Sequence, residues 1–118
     1  MSTRRRPDQV GELIRQVVAE ALLREVRDPR VALTTVTSVR VSGDLSHASI
    51  GVTVHGDAEE QERALEGLES AAGFLRSRVA KALAARTTPE LKFEIDRGAE
   101  HAARIDRLLA DLRREGDL

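Results

Sequence analysis

Residues 70–81 read SAAGFLRSRVAK, and the fold depends on how that stretch is divided. Leu75, Val79, Ala82 and Leu83 recur at helical spacing, yet Gly73 stands inside the run and the charge changes sign across it. Upstream, Asp57, Glu59, Glu60, Glu62, Glu66 and Glu69 face Arg63 alone. Downstream, Arg76, Arg78, Lys81 and Arg86 follow with no acid through residue 88. The pattern predicts two helices, one ending near Ala72 and a second beginning after Gly73. The first of the pair opens at Asp57, a side chain suited to capping, and its early acids suit the helix dipole. Ala64, Leu65, Leu68, Ala71 and Ala72 make its inward face.

Working outward, PDQVGELIRQVVAEALLREV predicts a helix over about residues 8–26, with Val10, Leu13, Ile14, Val17, Ala21 and Leu22 on one face. RDPR at 27–30 ends it, because Pro29 disfavours helical geometry at Asp28. TTVTSVRVS at 34–42 alternates, and Thr35, Thr37, Val39 and Val41 are expected on one side. SHASIGVTVH at 46–55 repeats the pattern with Ala48, Ile50, Val52 and Val54, and SGDLS between the two predicts an antiparallel hairpin. Gly51 marks a bulge or a close approach. LKFEI at 91–95 predicts a third strand on an edge of the hairpin. GAEHAARIDRLLADLRR predicts a last helix with Ile105, Leu108, Leu109 and Leu112 at i, i+3, i+4 and i+7. The expected fold is α+β: a three-stranded sheet with helices on one face.

The 118 residues fit one domain, with a core over about 8–97 and a C-terminal helix over about 98–114. Apolar content of 41% supports a core, but two Phe with no Tyr or Trp argue against a sheet that stacks bases on exposed aromatics. The absence of Cys excludes disulfides and thiolate chemistry. No apolar run reaches the roughly 20 residues of a membrane span, and MSTRRRPDQV lacks the apolar segment of a secretory signal. A cytoplasmic location without membrane contact is expected. A net charge of −1 argues against a general nucleic-acid coat, so any anion-binding surface must be local.

His47, His55 and His101 have no ligand-like spacing, and no phosphate-cradling or nucleophile motif is present. No catalysis, metal or cofactor is expected. The basic segment is the better candidate. Arg76, Arg78, Lys81 and Arg86, then Lys92 on the next strand, form a series able to hold successive phosphates; a solvated helix end is the plain alternative. Of these Lys92, and with it Arg4, Arg5 and Arg6, are weaker candidates. Phe74 falls on the Arg78 side of the helix. It would stack a base or, as expected of a Phe, pack against the preceding helix.

RDPRVALTTVTSVRVSGDLSHASIGVTV, SAAGFLRSRVAKALAARTTPELKFEID and GAEHAARIDRLLADL together resemble the bacterial ribosome-binding factor A family, in the family's order and over nearly all the chain after the first helix. The resemblance implies a type II KH-like fold. It also implies a non-enzymatic factor that binds the free 30S subunit and immature 16S rRNA. Such factors assist late maturation and 5′-end processing and leave before translation; cold adaptation, assembly GTPases as further partners, and a monomer are implied as well. KH domains clamp nucleic acid with a GxxG loop; here Ala71-Ala72-Gly73 stands instead, similar to the family's interhelical kink. The rival expectation is a protein-interaction module using the acidic helix or the last amphipathic helix.

Overall fold

A computed structural model describes residues 6–116. The order is α1 (Pro7–Arg24), a 3-10 turn (Pro29–Val31), β1 (Thr34–Val41), β2 (His47–Val54), α2 (Ala58–Leu83), β3 (Glu90–Ile95) and α3 (Arg97–Glu115). β1 and β2 pair antiparallel and β3 joins the free side of β2 in parallel, so β2 is central. A parallel partner requires a long crossover, and α2 is that crossover.

α2 corrects the division at Gly73. Helix runs unbroken from Ala58 to Leu83, and Ala71, Ala72 and Gly73 lie inside it rather than between two helices. One glycine costs a helix about 1 kcal/mol relative to Ala. Burial of Ala64, Leu68, Leu75, Val79 and Leu83 on both sides of it outweighs that cost, at about 1.5–3 kcal/mol for each large side chain. Asp57 caps the start as its position suggests, accepting from the Glu60 N–H at 2.8 Å. The end is less expected: Ala84 takes a left-handed conformation (φ 50°) where glycine is usual.

β1 departs from strict alternation. Val36 pairs with Val52 and Ser38 with Gly51, so Thr37 is an extra residue on β1. The bulge reverses parity: Val36, not Thr35 or Thr37, shares the inner face with Val39 and Val41. Gly51 sits opposite the bulge and is a point of close approach. A methyl there would collide with Ser38 Oγ and meet Asp96 Cβ at 3.3 Å.

The core lies between the sheet and the pair α1 and α2. Ile14, Val18, Ile50, Val52, Leu68, Leu75 and Val79 are fully buried. Gly67 receives the 3-10 turn, since a methyl on it would stand 2.9 Å from Val31 Cγ1 and 3.1 Å from Arg30 Cβ. α3 buries no residue. Its start is fixed by Asp96, which accepts from the Ala99 N–H at 3.1 Å, Thr37 Oγ1 at 2.6 Å and Ser38 Oγ at 3.1 Å. The bulge thus aims two hydroxyls at the cap of α3. No described helix is long and apolar enough to cross a membrane.

Candidate nucleic-acid interface

The second half of α2, the β1–β2 turn and the loop from α2 to β3 enclose an open groove. Gly73, Ser77 and Ala80 lie along one side, Asp44 to His47 along another, and Arg86 to Thr88 close the end. Gly73 leaves its stretch of helix bare: a methyl there would meet nothing within 4 Å. The sequence singles out this glycine as a junction; in the fold it is an open position on the groove.

The predicted cations divide by role. Arg76 reaches across the groove end to the loop: Nη2 donates to Thr88 O at 2.7 Å and Nε to Pro89 O at 3.2 Å, with Glu90 Oε1 3.3 Å from Nη1. Its fork is engaged in holding the loop that leads into β3. Arg78 is bound by Glu25 at the end of α1, through Nη2 at 2.6 Å and Nε at 2.8 Å. Lys81 and Arg86 are exposed and have no ion-pair partner among the described residues. They are therefore the cations of α2 and the loop after it with charge to offer.

Lys92 does not join them. Strand alternation turns Phe93 into the core and Lys92 outward, onto the sheet face opposite α1 and α2. There it lines up with Ser49 and Arg40 across the three strands. Arg6 is exposed at the start of α1; Arg4 and Arg5 lie outside the described residues.

Phe74 also differs from expectation. It does not pack away against the acidic half of α2 but stays 39% exposed, whereas Phe93 is 8% exposed. The Arg78 guanidinium carbon stands 4.9 Å from the centre of its ring. With 3.6 residues per turn, i and i+4 are stacked neighbours on an uninterrupted helix; burying the ring against the preceding turns would require a break at Gly73.

The turn wall contains a network that sequence spacing does not reveal. Asp44 Oδ1 accepts from Ser46 Oγ and Ser42 Oγ, each at 2.7 Å, and from the Ser46 N–H at 3.1 Å. These bonds, Ser46's first, hold the Asp44 carboxyl down to about 2. Ser46 Oγ also lies 2.8 Å from His47 Nδ1. A hydroxyl has one proton; given to Asp44, it leaves Nδ1–H as the donor to Ser46. Asp44, Ser46 and His47 thus rigidify a turn in which Leu45 has φ 62°. No set of three acids or histidines among the described residues is close enough to hold a metal.

The α-β-β-α-β core with a mixed three-stranded sheet is a KH-like domain in which an unbroken helix replaces the GxxG loop. The family model described as "Ribosome-binding factor A" matches residues 6–109, and the chain belongs to that family, one of ribosome-binding factors and not of enzymes. It is 41% identical over 112 residues to ribosome-binding factor A of Halothermothrix orenii, covering 95% of this chain and 92% of that one. Among solved structures it is similar to crystalline ribosome-binding factor A of Thermus thermophilus, with a TM-score of 0.67, 30% identity, and 77% and 97% of the two chains covered. It is also similar to a Thermus thermophilus ribosome-binding factor A homology model fitted into the cryo-EM map of a 30S complex, with a TM-score of 0.61, 31% identity, and 74% and 91% covered.

Proposed function

We propose that this chain binds the free 30S subunit through its 16S rRNA and assists late maturation, including processing of the 5′ end. The observation that carries the reading is family membership together with likeness to a relative fitted into a 30S complex. The groove beside Gly73, with Arg86 unpaired in its wall and Lys81 unpaired on the adjoining side of α2, is the surface for the RNA backbone; Lys92, Arg40, Arg4, Arg5 and Arg6 are weaker candidates. No chemistry is required. A factor that binds one rRNA arrangement more tightly than another shifts the population by that difference in affinity. The chain acts as a single-domain monomer in the cytoplasm, alongside GTPases of the same assembly route, with its greatest importance in the cold, where misfolded RNA persists longest.

Sedimentation with separated 30S, 50S and 70S particles tests this. Co-migration with 30S and little with 70S is expected; equal association with all three would refute the reading. Reversing Lys81 and Arg86 together to Glu should weaken 30S binding and lessen its salt dependence by about two counterions. Unchanged affinity and slope in a folded variant would remove those residues from the interface.

A second reading has its own support. Ile105, Leu108, Leu109 and Leu112 of α3 are all exposed, by 41–58%, and an uncovered apolar stripe suits contact with a protein. It predicts binding to 30S particles but none to protein-free rRNA fragments.

A further inference from the structure

We propose that Phe74 is a stacking platform for one unpaired RNA base; the inference rests on the rRNA-binding reading above and names the form of RNA it takes. The chain holds only two Phe and no other aromatic of the Phe, Tyr and Trp class. One fills the core and the other is left 39% exposed at the surface, against the strong preference of Phe for burial.

The exposed ring is also held in place. Arg78, one turn along α2, stands over one face at 4.9 Å, and Glu25 fixes Arg78 from the neighbouring helix at 2.6 Å, so the base takes the opposite face. A ring fixed before binding loses little freedom when a base lands on it. The surroundings exclude the ordinary alternative of a protein-docking patch. Along the same side of α2 lie Ser70, Ser77, Arg78 and Lys81, and none of the other large exposed apolar residues lies on this helix. With Arg78 neutralised by Glu25, a lone ring beside hydroxyls and the unpaired Lys81 is the composition of a single-strand site, where aromatic faces take bases and cations follow the backbone. Lys81 stands seven residues beyond Phe74, about 10.5 Å along the helix at 1.5 Å per residue, in position for a phosphate of the same strand. Bare Gly73 adjoins the ring on the groove side, so a strand approaching the ring meets no side chain there. A base inside a duplex cannot reach a ring in this way.

Because the chain contains no Trp, Phe74→Trp introduces a single indole whose fluorescence a stacked base quenches. The full chain is titrated with labelled oligoadenylate of about twelve nucleotides, within the span of single-strand sites, with the same strand annealed to oligouridylate, and with 30S subunits. RNA anisotropy or co-sedimentation is followed in parallel. Quenching by the single strand and by 30S, but not by the duplex, is expected. Phe74→Leu, which keeps apolar bulk without a ring, should bind the single strand about 5- to 150-fold more weakly, the range for loss of one stacked base. Binding of RNA or 30S without quenching, or full affinity in a folded Phe74→Leu, overturns the platform and leaves the rRNA reading standing. Failure of the parent chain to bind either RNA or 30S overturns both.

Discussion

Gly67 and Gly73 lie six residues apart on one helix and have opposite reasons to be glycine. At Gly67 the 3-10 turn comes so close that a methyl would stand 2.9 Å from Val31 Cγ1. At Gly73 nothing lies within 4 Å. The first glycine serves packing. The second serves nothing inside the molecule and keeps a stretch of surface bare. The charge change in the sequence follows the same division: the acidic half of α2 carries the packing glycine, and the half without acids carries the open one and borders the groove.

The largest expected effects test the comparison directly. Gly67→Ala should lower stability by up to about 2 kcal/mol, the crowding cost of about 1–3 kcal/mol less the gain of about 1 in helix propensity. Gly73→Ala should raise it by up to about 1 kcal/mol while weakening binding of single-stranded RNA. Urea midpoints of the two variants moving in the same direction would break the contrast. Arg76→Ala should lose about 1–2 kcal/mol through the two loop carbonyls it leaves unpaired, with little recovery in Arg76→Lys, which lacks the fork. Lys81→Ala should stay within about 0.5 kcal/mol of the parent and reduce RNA affinity instead. That exchange of phenotypes would separate the loop-holding cation from the ligand-facing one.

A smaller effect depends on pH. The Asp44 carboxyl is held down to about 2 by Ser46 and Ser42, against about 3.9 unfolded. Between those values the unfolded chain binds the proton and the folded chain does not, so the stabilisation is complete above about pH 4 and lost as pH falls toward 2. Asp96, lowered by Thr37 and the Ala99 N–H, acts in the same sense. The parent should therefore exceed Asp44→Asn in thermal midpoint at pH 6, with the gap closing by pH 2; a gap independent of pH would refute the linkage. Smallest of all, Leu108→Ser with Leu112→Ser should shift stability by less than about 0.5 kcal/mol, since α3 buries nothing. A large loss would mean that α3 belongs to the core.

Most of the architecture was legible because it rests on short-range patterns. Alternation located the three strands, helical spacing the helical segments although it divided α2 in two, and Asp57 the start of α2. Continuity through Gly73 was not legible: a local propensity cost is visible in sequence, whereas the burial on either side that outweighs it is not. The bulge escaped because Thr35 and Thr37 are as β-prone as Val36, so either face looks like the inner one. In the site, Lys81 and Arg86 were in view as unopposed charges. The engagement of Arg76 was not, because its partners are backbone carbonyls with no sequence signature. Lys92, a weaker candidate in sequence, lies apart from the helix cations because nearness in sequence to the helix says nothing about which side of a strand faces it. Gly67 had no signal at all, since its neighbour Val31 is far off along the chain.

The parallel pairing of β2 with β3 sets a schedule as well as a shape. The hairpin can close once Val54 has been made, but the second edge of β2 stays open until Glu90 to Ile95 follow, with all of α2 between. At about 5–20 residues per second that interval is roughly two to eight seconds of synthesis. During it Ile50 and Val52, the centre of the finished core, belong to a strand with one unsatisfied edge. The strand most exposed to wrong partners during synthesis is thus the one at the centre of the finished sheet.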